Sequence, residues 1–350
     1  MADIDLATLT PRARLSGDHV VVYRDAVTDE IGIIPVTDFL SAISGLTGKL
    51  LFNDAGQPVV ASDVEIEGGQ LRLPVIATPA VPAAGGVKMF GASVGGRAIP
   101  AFMGPSGLDS PVQPHTGVNR VSWWLPQGNN TTALGFGFGA SATGTPTILD
   151  VGTGSLFEQM RRVGFHVITP SATAVVAFRG SSNQLTVGGA SPGRGGFHFI
   201  ARFGHSLGLP NASQRAFLGM RPTGTPADTE PSTFLNMVGV GYDAADANWQ
   251  VMHNDGTGTA TKVDLGPSFP KPSVNEQDPY ELALFSPPGT TQLVSYRFRN
   301  LRTGAEATGT ITTDLPGATT LIAPLLQVSV GGVSSAVGVA IMGIYIETDY

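Results

Sequence analysis

The chain contains no cysteine, which excludes disulfides and thiolate metal sites and fits synthesis in a reducing cytoplasm. Charge is also scarce: Asp, Glu, Lys and Arg make up 13% of the 350 residues, about half the usual share and unlike the surface of an ordinary cytosolic enzyme. The formal net charge is -7, and with no Lys/Arg cluster beside it this argues against a nucleic-acid footprint. No apolar run is long enough to cross a bilayer; the best, Ala336 to Ile346, is short and broken by glycine. The opening MADIDLATLT has no basic-then-apolar leader pattern, so export by the usual secretory route is not expected. Helix-length periodicity is nearly missing as well.

What the chain does have is glycine and proline, 46 and 26 residues. Together they punctuate a chain of many short strands and turns. The length allows two domains, or one large β domain with an extension. Residues 1–45 predict a hairpin, with strands at His19–Tyr23 and Ile31–Val36. Thr37 then stands as a helix N-cap before Phe39, Leu40 and Ile43. Residues 46–84 predict thin β structure, including a hairpin over Val64–Leu73 turned at Gly68-Gly69. The proline-stiffened linker TPAVPAA closes that segment. Strands this short bury too little alone, so intertwining with identical chains is expected to complete their core. In residues 85–114, Gly95-Gly96-Arg97 and Gly104-Pro105-Ser106-Gly107 supply turns with room for short strands between them.

From residue 115 to 350 strands follow densely. Phe197, Phe199 and Phe203 share one face of an alternating strand while His198 and Arg202 face the other way. Leu134, Phe136 and Phe138 alternate with small residues. One helical turn is expected within Leu156–Phe165, with a strand over Val163–Ile168. Further strands are expected at 215–220, 234–242, 249–253, 280–285, 293–300, 307–312 and 326–350. Regular strands with Gly/Asn/Asp turns predict a mostly β fold, a β-sandwich of jelly-roll type.

Three stretches carry a likeness to a known family, the first being DHVVVYRD…IGIIPVTDFL within residues 1–45, which resembles the small N-terminal module of many phage fibre proteins. The run KMF…GRAIPAFMGPSGLDSPVQP, within residues 85–114, resembles a segment that recurs before the C-terminal domain in tail fibres and related virion appendages of tailed bacteriophages. The order GFHFIARF…RAFLGM…VGVGYD…WQVMHND…YELALF…VSYRFRN…GIYIE, over about 195–350, resembles in pattern the concanavalin-type jelly-roll heads of phage fibres. The resemblance implies an N-terminal attachment module (1–45), a β shaft or linker (46–84), a joint (85–114) and a jelly-roll head (115–350). It implies a homotrimeric structural virion protein, made in the host cytoplasm and held by other phage tail proteins through its N-terminus. Its head would contact a host-surface polysaccharide or protein, with no cofactor, nucleic acid or membrane insertion. A non-receptor capsid fibre or decoration protein is the related alternative, and a polysaccharide-active glycosidase with a divergent site is the alternative from another class.

Catalytic patterns are weak. His253-Asn254-Asp255-Gly256 offers a base and a carboxylate, or with Asp243 and Asp246 a cation site, yet the same residues are what a tight hairpin turn requires. Gly204-His205-Ser206 lacks the G-x-S-x-G elbow of a strand-to-helix nucleophile. Gly193-Arg194-Gly195-Gly196 has no helix after it and no phosphate-binding lysine. Glu230, Glu276 and Glu281 are scattered and form no paired carboxylate strand. The chain is therefore read as a binder and not an enzyme. Aromatic rings beside Asn and Asp hold sugars by stacking and planar hydrogen bonds, which singles out Trp123, Trp124, Tyr242, Asp246, Asn248 and Trp249. Adjacent tryptophans in a strand point to opposite faces, so one of Trp123 and Trp124 is expected to be buried.

Overall fold

The computed structural model describes residues 20–24, 31–35, 49–54, 57–67, 70–80, 82, 88–103, 109–111, 120–126, 128, 140–189, 195–208, 211–287 and 291–348. The chain divides into two compact units, Met1–Pro74 and Val75–Tyr350. In the first, β1 (Val20–Arg24) and β2 (Ile31–Pro35) pair as an antiparallel hairpin. A separate three-stranded sheet joins β3 (Lys49–Asp54), β4 (Gln57–Glu67) and β5 (Gln70–Arg72). Ile66 pairs with Leu71 across the expected Gly-Gly turn. The helix expected after Thr37 lies outside the described residues.

The second unit opens with a three-stranded sheet, β6 (Lys88–Val94), β7 (Arg97–Met103) and β8 (Asp109–Pro111). After it come β9 (Arg120–Trp124), β10 (Ala140–Thr143), β11 (Thr145–Leu149), the single helical turn α1 (Leu156–Gln159), β12 (Arg162–Ser171) and β13 (Val175–Gly180). The alternation expected around Phe136 lies outside the described residues. Next are β14 (Phe197–Leu207), β15 (Arg215–Arg221), β16 (Met237–Tyr242), β17 (Gln250–Asn254) and β18 (Thr261–Asp264). The last strands are β19 (Tyr280–Ser286), β20 (Val294–Asn300), β21 (Glu306–Ile311), β22 (Ala323–Ser329) and β23 (Ser335–Thr348).

These strands form two antiparallel sheets. One has seven strands, β10-β13-β22-β15-β16-β17-β18. The other has eight, β11-β12-β23-β14-β19-β20-β21, with β9 beside the later half of β23. The chain passes repeatedly from one sheet to the other, at β9–β10, β10–β11, β12–β13, β13–β14, β14–β15, β18–β19, β21–β22 and β22–β23, so the architecture is a jelly-roll β-sandwich. The stretch 326–350, expected as one strand, is two strands in opposite sheets. Gly331 and Gly332 both take positive φ, +69° and +80°, and turn the chain where a side chain would be strained.

The core fills the space between the sheets. Phe197, Phe199, Ala201 and Phe203 of β14 point inward as expected. A bulge in β23 is essential to the opposite wall: Arg202 pairs with Gly343 but Phe203 pairs with Ile341, leaving Met342 as the extra residue. Ile341 and Ile344 are an odd number of residues apart and would otherwise face opposite sides. The inserted residue lets both reach the core.

On the outer face of the eight-stranded sheet, polar side chains pair with one another. Glu281, 3% exposed, accepts from Arg202 Nε at 2.7 Å and Arg297 Nη2 at 2.9 Å. The β6–β7 hairpin lies on the same face. Arg97 forms a two-pronged ion pair with Glu347 and stands over the Phe285 ring. Tyr345 donates its hydroxyl to Glu347 at 2.5 Å. His198 is buried beside them, edge-on to Phe285 and Tyr345. Burial first, then the positive charge of Arg97, lowers its pKa to about 4, although Glu347 pulls the other way.

Candidate ligand-binding face

Three of the aromatic residues singled out from the sequence, Trp124, Tyr242 and Trp249, are buried in the core. Trp249 and Tyr242 have no exposed surface and Trp124 is 6% exposed, so none presents the open ring face that stacking on a sugar requires. Trp249 sits at the centre of a ring cluster, 4.8 Å from Tyr242, 5.2 Å from Tyr280 and 5.3 Å from Phe298 between centroids. Trp124 stacks on Phe178. The physical reason for the correction is the sandwich itself: large rings near strand ends are what two sheets need to fill the gap between them. The side chain of Trp123 lies outside the described residues.

Asp246 and Asn248 are half-buried and already engaged. Lys262 Nζ binds Asp246 at 2.6 and 2.8 Å and Asp243 at 3.1 Å, and Asn248 donates to Asp264 at 3.1 Å. They hold the ends of β16, β17 and β18 together. The structure thus brings these residues close in space without giving them a shared open face.

The patterns weighed as catalytic resolve in the same way. His253 and Asp255 do not meet. His253 Nδ1 lies 3.0 Å from the Asp314 carbonyl, while Asp255 accepts from Thr257 at the hairpin turn between β17 and β18. His205 and Ser206 point to opposite sides of β14. The Tyr242 hydroxyl donates to Gln214 Oε1 at 3.1 Å and lies 2.9 Å from His205 Nε2. A hydroxyl has one proton, so His205 donates from Nε2 and its Nδ1 is the bare nitrogen, which is buried without a partner. Burial lowers His205 to about 4 and pushes Tyr242 up, which keeps both neutral. Lys271 Nζ stands over the Tyr242 ring, 5.0 Å from its centroid. Ser206 instead meets His166 Nε2 at 2.9 Å, a pairing the sequence did not suggest because the two belong to different strands. Ser206 is the extra residue of a second bulge, opposite Val339 and Gly338, and both its side chain and that of His166 are more than nine-tenths buried. Among the described residues no three His, Asp or Glu side chains gather as a metal site, and no helix is long and apolar enough to cross a membrane.

The open chemistry lies on the outer face of the seven-stranded sheet. There β13, β22 and β15 run side by side, so Ala177 and Arg179, Leu325 and Gln327, and Phe217 and Arg221 share one surface. The segment 222–236 folds back across it. Phe234 seats edge-on against Phe217 with centroids 5.7 Å apart, and the Arg221 guanidinium lies 4.0 Å above the Phe234 ring. Beside this apolar patch is a cleft of about 10 Å³, lined by Arg179, Arg221, the 222–226 turn, Pro324, Leu325 and Gln327. Gln327 is held in place by donating to the Ala227 carbonyl at 2.8 Å. Neither arginine was singled out from the sequence.

The sandwich, a jelly roll by its strand order, has a range of structural neighbours. It is similar to a protein of unknown function from Shewanella oneidensis MR-1, with TM-score 0.43, 11% identity, and 66% of this chain and 88% of that chain covered. It is similar to peanut lectin solved with a nine-residue peptide, with TM-score 0.42, 12% identity, and 65% and 97% covered. It is also similar to a carbohydrate esterase of the Shiga toxin-encoding bacteriophage phi24B, with TM-score 0.35, 16% identity, and 61% and 91% covered. No family model matches the chain, and no curated protein matches it in sequence.

Proposed function

We propose that the chain is a subunit of a tailed-phage virion appendage, assembled as a trimer through its N-terminal part, whose sandwich binds a glycan on the host surface. The observation that carries the assembly reading is the exposure of apolar side chains ahead of the sandwich. Leu71, Val75, Ile76 and Met89 are 51%, 48%, 42% and 45% exposed. Apolar side chains left in water favour burial against identical chains, at about 25 cal/mol per Å² removed from water. Three heads on one stem then turn weak contacts into firm attachment through avidity. The role is binding rather than turnover; the enclosure of the His166–Ser206 and His205–Tyr242 pairs supports this.

Light scattering on the full chain tests the assembly, with a mass of three chains expected. Replacing Leu71 and Ile76 together by aspartate is expected to reduce it to single chains that keep the sandwich's near-ultraviolet circular dichroism. A full chain that is monomeric at micromolar concentration sinks the reading. Retention on an array of bacterial surface glycans tests the ligand class.

A further inference from the structure

Resting on that glycan-binding reading, we propose that the cleft between Arg179 and Arg221 is a subsite for the carboxylate of an acidic sugar, of the uronic or sialic acid type. Two observations carry it. The first is that these guanidinium groups are unneutralised. Arg97, Arg202, Arg215, Arg297, Arg299 and Arg302 each form an ion pair with a carboxylate. Arg179 and Arg221 have neither an ion pair nor a side-chain hydrogen bond among the described residues; each has one buried nitrogen without an acceptor, as Arg215, Arg297 and Arg299 also do, so what sets the two apart is the absence of any carboxylate partner. A buried N–H left without a partner costs about 1–3 kcal/mol, and more when charged. A bound anion supplies the charge partner that both guanidinium groups lack.

The second observation is the shape and lining of the cleft. The turn above it, Pro222-Thr223-Gly224-Thr225-Pro226, contains no acid. The nearest carboxylate beyond it, Asp228, is committed to Arg215 and to the Gly331 and Gly332 amides. The cleft, at about 10 Å³, admits one oxygen of a carboxylate and not a sugar ring. A carboxylate oxygen seated there lies beside both guanidinium groups that line the cleft, the cation that suits planar anions. The sugar ring then lies outside, against the C–H faces of Pro222 and Pro226. Position 224 is open: a Cβ there touches nothing within 4 Å and the backbone is not left-handed.

Calorimetry on the full chain with oligogalacturonate and with sialyl-oligosaccharide, each against its neutral counterpart, tests this subsite. At least one acidic probe is expected to bind tenfold or more tightly than its neutral counterpart, and to weaken with added salt. Arg179→Ala and Arg221→Ala are each expected to weaken it tenfold or more. Because Arg221 also packs on Phe234, Gly224→Glu serves as the second variant: it retains both arginines, carries a carboxylate to the mouth of the cleft, and is expected to abolish binding with an unchanged melting temperature. Equal binding of acidic and neutral probes, binding of neither, or a Gly224→Glu chain that binds like the parent overturns the inference. So does equal competition by inorganic phosphate or polyglutamate, which would assign the arginines to another anion. Selective binding of neutral glycans removes this subsite while the host-surface reading stands, whereas a monomeric chain removes the appendage reading independently of any ligand.

Discussion

Glu281 shows how one residue's environment is decided by its neighbours across the sheet. Burial by itself would raise its pKa, but Arg202 and Arg297 on the flanking strands outweigh that and hold it below the usual carboxylate range. Replacing it with glutamine leaves Arg297, itself largely buried, facing a neutral amide. Glu281→Gln is expected to cost about 2–4 kcal/mol, read as a lower urea midpoint with an unchanged slope; a loss under 0.5 kcal/mol would falsify this account. The outward direction of Arg202 and the inward direction of its phenylalanine neighbours were legible in the alternation of β14. The partners of Arg202 were not, because strand order across the sheet is not written in local pattern. Trp249 and Tyr242 were misread for a related reason: an aromatic beside Asp and Asn at a strand end looks alike whether it faces a ligand or the opposing sheet. Arg179 and Arg221 converge only because β22, far later in the chain, inserts between β13 and β15.

At the scale of elements, the β6–β7 hairpin depends on its two-glycine turn. Gly95 and Gly96 take φ of +59° and +86°, as a tight hairpin turn requires. They also bring backbone close to β19 and β20: a Cβ on Gly95 would stand 3.1 Å from the Ala283 carbonyl oxygen, and one on Gly96 2.3 Å from the Ser295 Cβ. Gly95→Val is therefore expected to lift the hairpin and disengage Arg97 from Glu347. Trypsin reports this, since Arg97 directly follows the turn; the variant is expected to be cut after Arg97 at least tenfold faster than the parent. Equal cutting would mean that the ion pair seats the hairpin without the turn. The glycines were legible as a turn from the sequence. Their contact surface was not, since it is made by residues nearly two hundred positions away. The break between β22 and β23 was missed although it carries the same Gly-Gly signature, because the apolar run continues on both sides of it.

For the molecule as a whole, acid is the expected weakness. His198 and His205 titrate near 4 in the fold against an ordinary 6.5, so between these values the unfolded chain takes up protons that the folded chain refuses. Their contribution is complete above pH 6.5 and is lost as pH falls toward 4, at about 1.4 kcal/mol per pH unit for each histidine. Glu281, depressed instead, contributes above the ordinary carboxylate range and loses its share only as pH falls below that range. Thermal melts from pH 7.5 to 4.5 are expected to show a falling midpoint beginning near 6.5, flattened by His198→Phe. A midpoint that holds level down to pH 5 contradicts the buried, neutral state of both imidazoles.

Strand β23 pairs with β9, β12 and β14, all of which precede it in the chain. Its inner side chains complete the core wall that those strands begin. During translation, these earlier strands therefore leave the ribosome with an essential hydrogen-bonding neighbour still unsynthesised. Their edges and phenylalanines stay uncovered until Ser335–Thr348 is made. The sandwich closes late and through distant contacts, a topology that folds slowly and is prone to aggregate before it closes. A frameshift or nonsense codon ahead of β23 thus yields aggregation-prone material rather than a shortened sandwich.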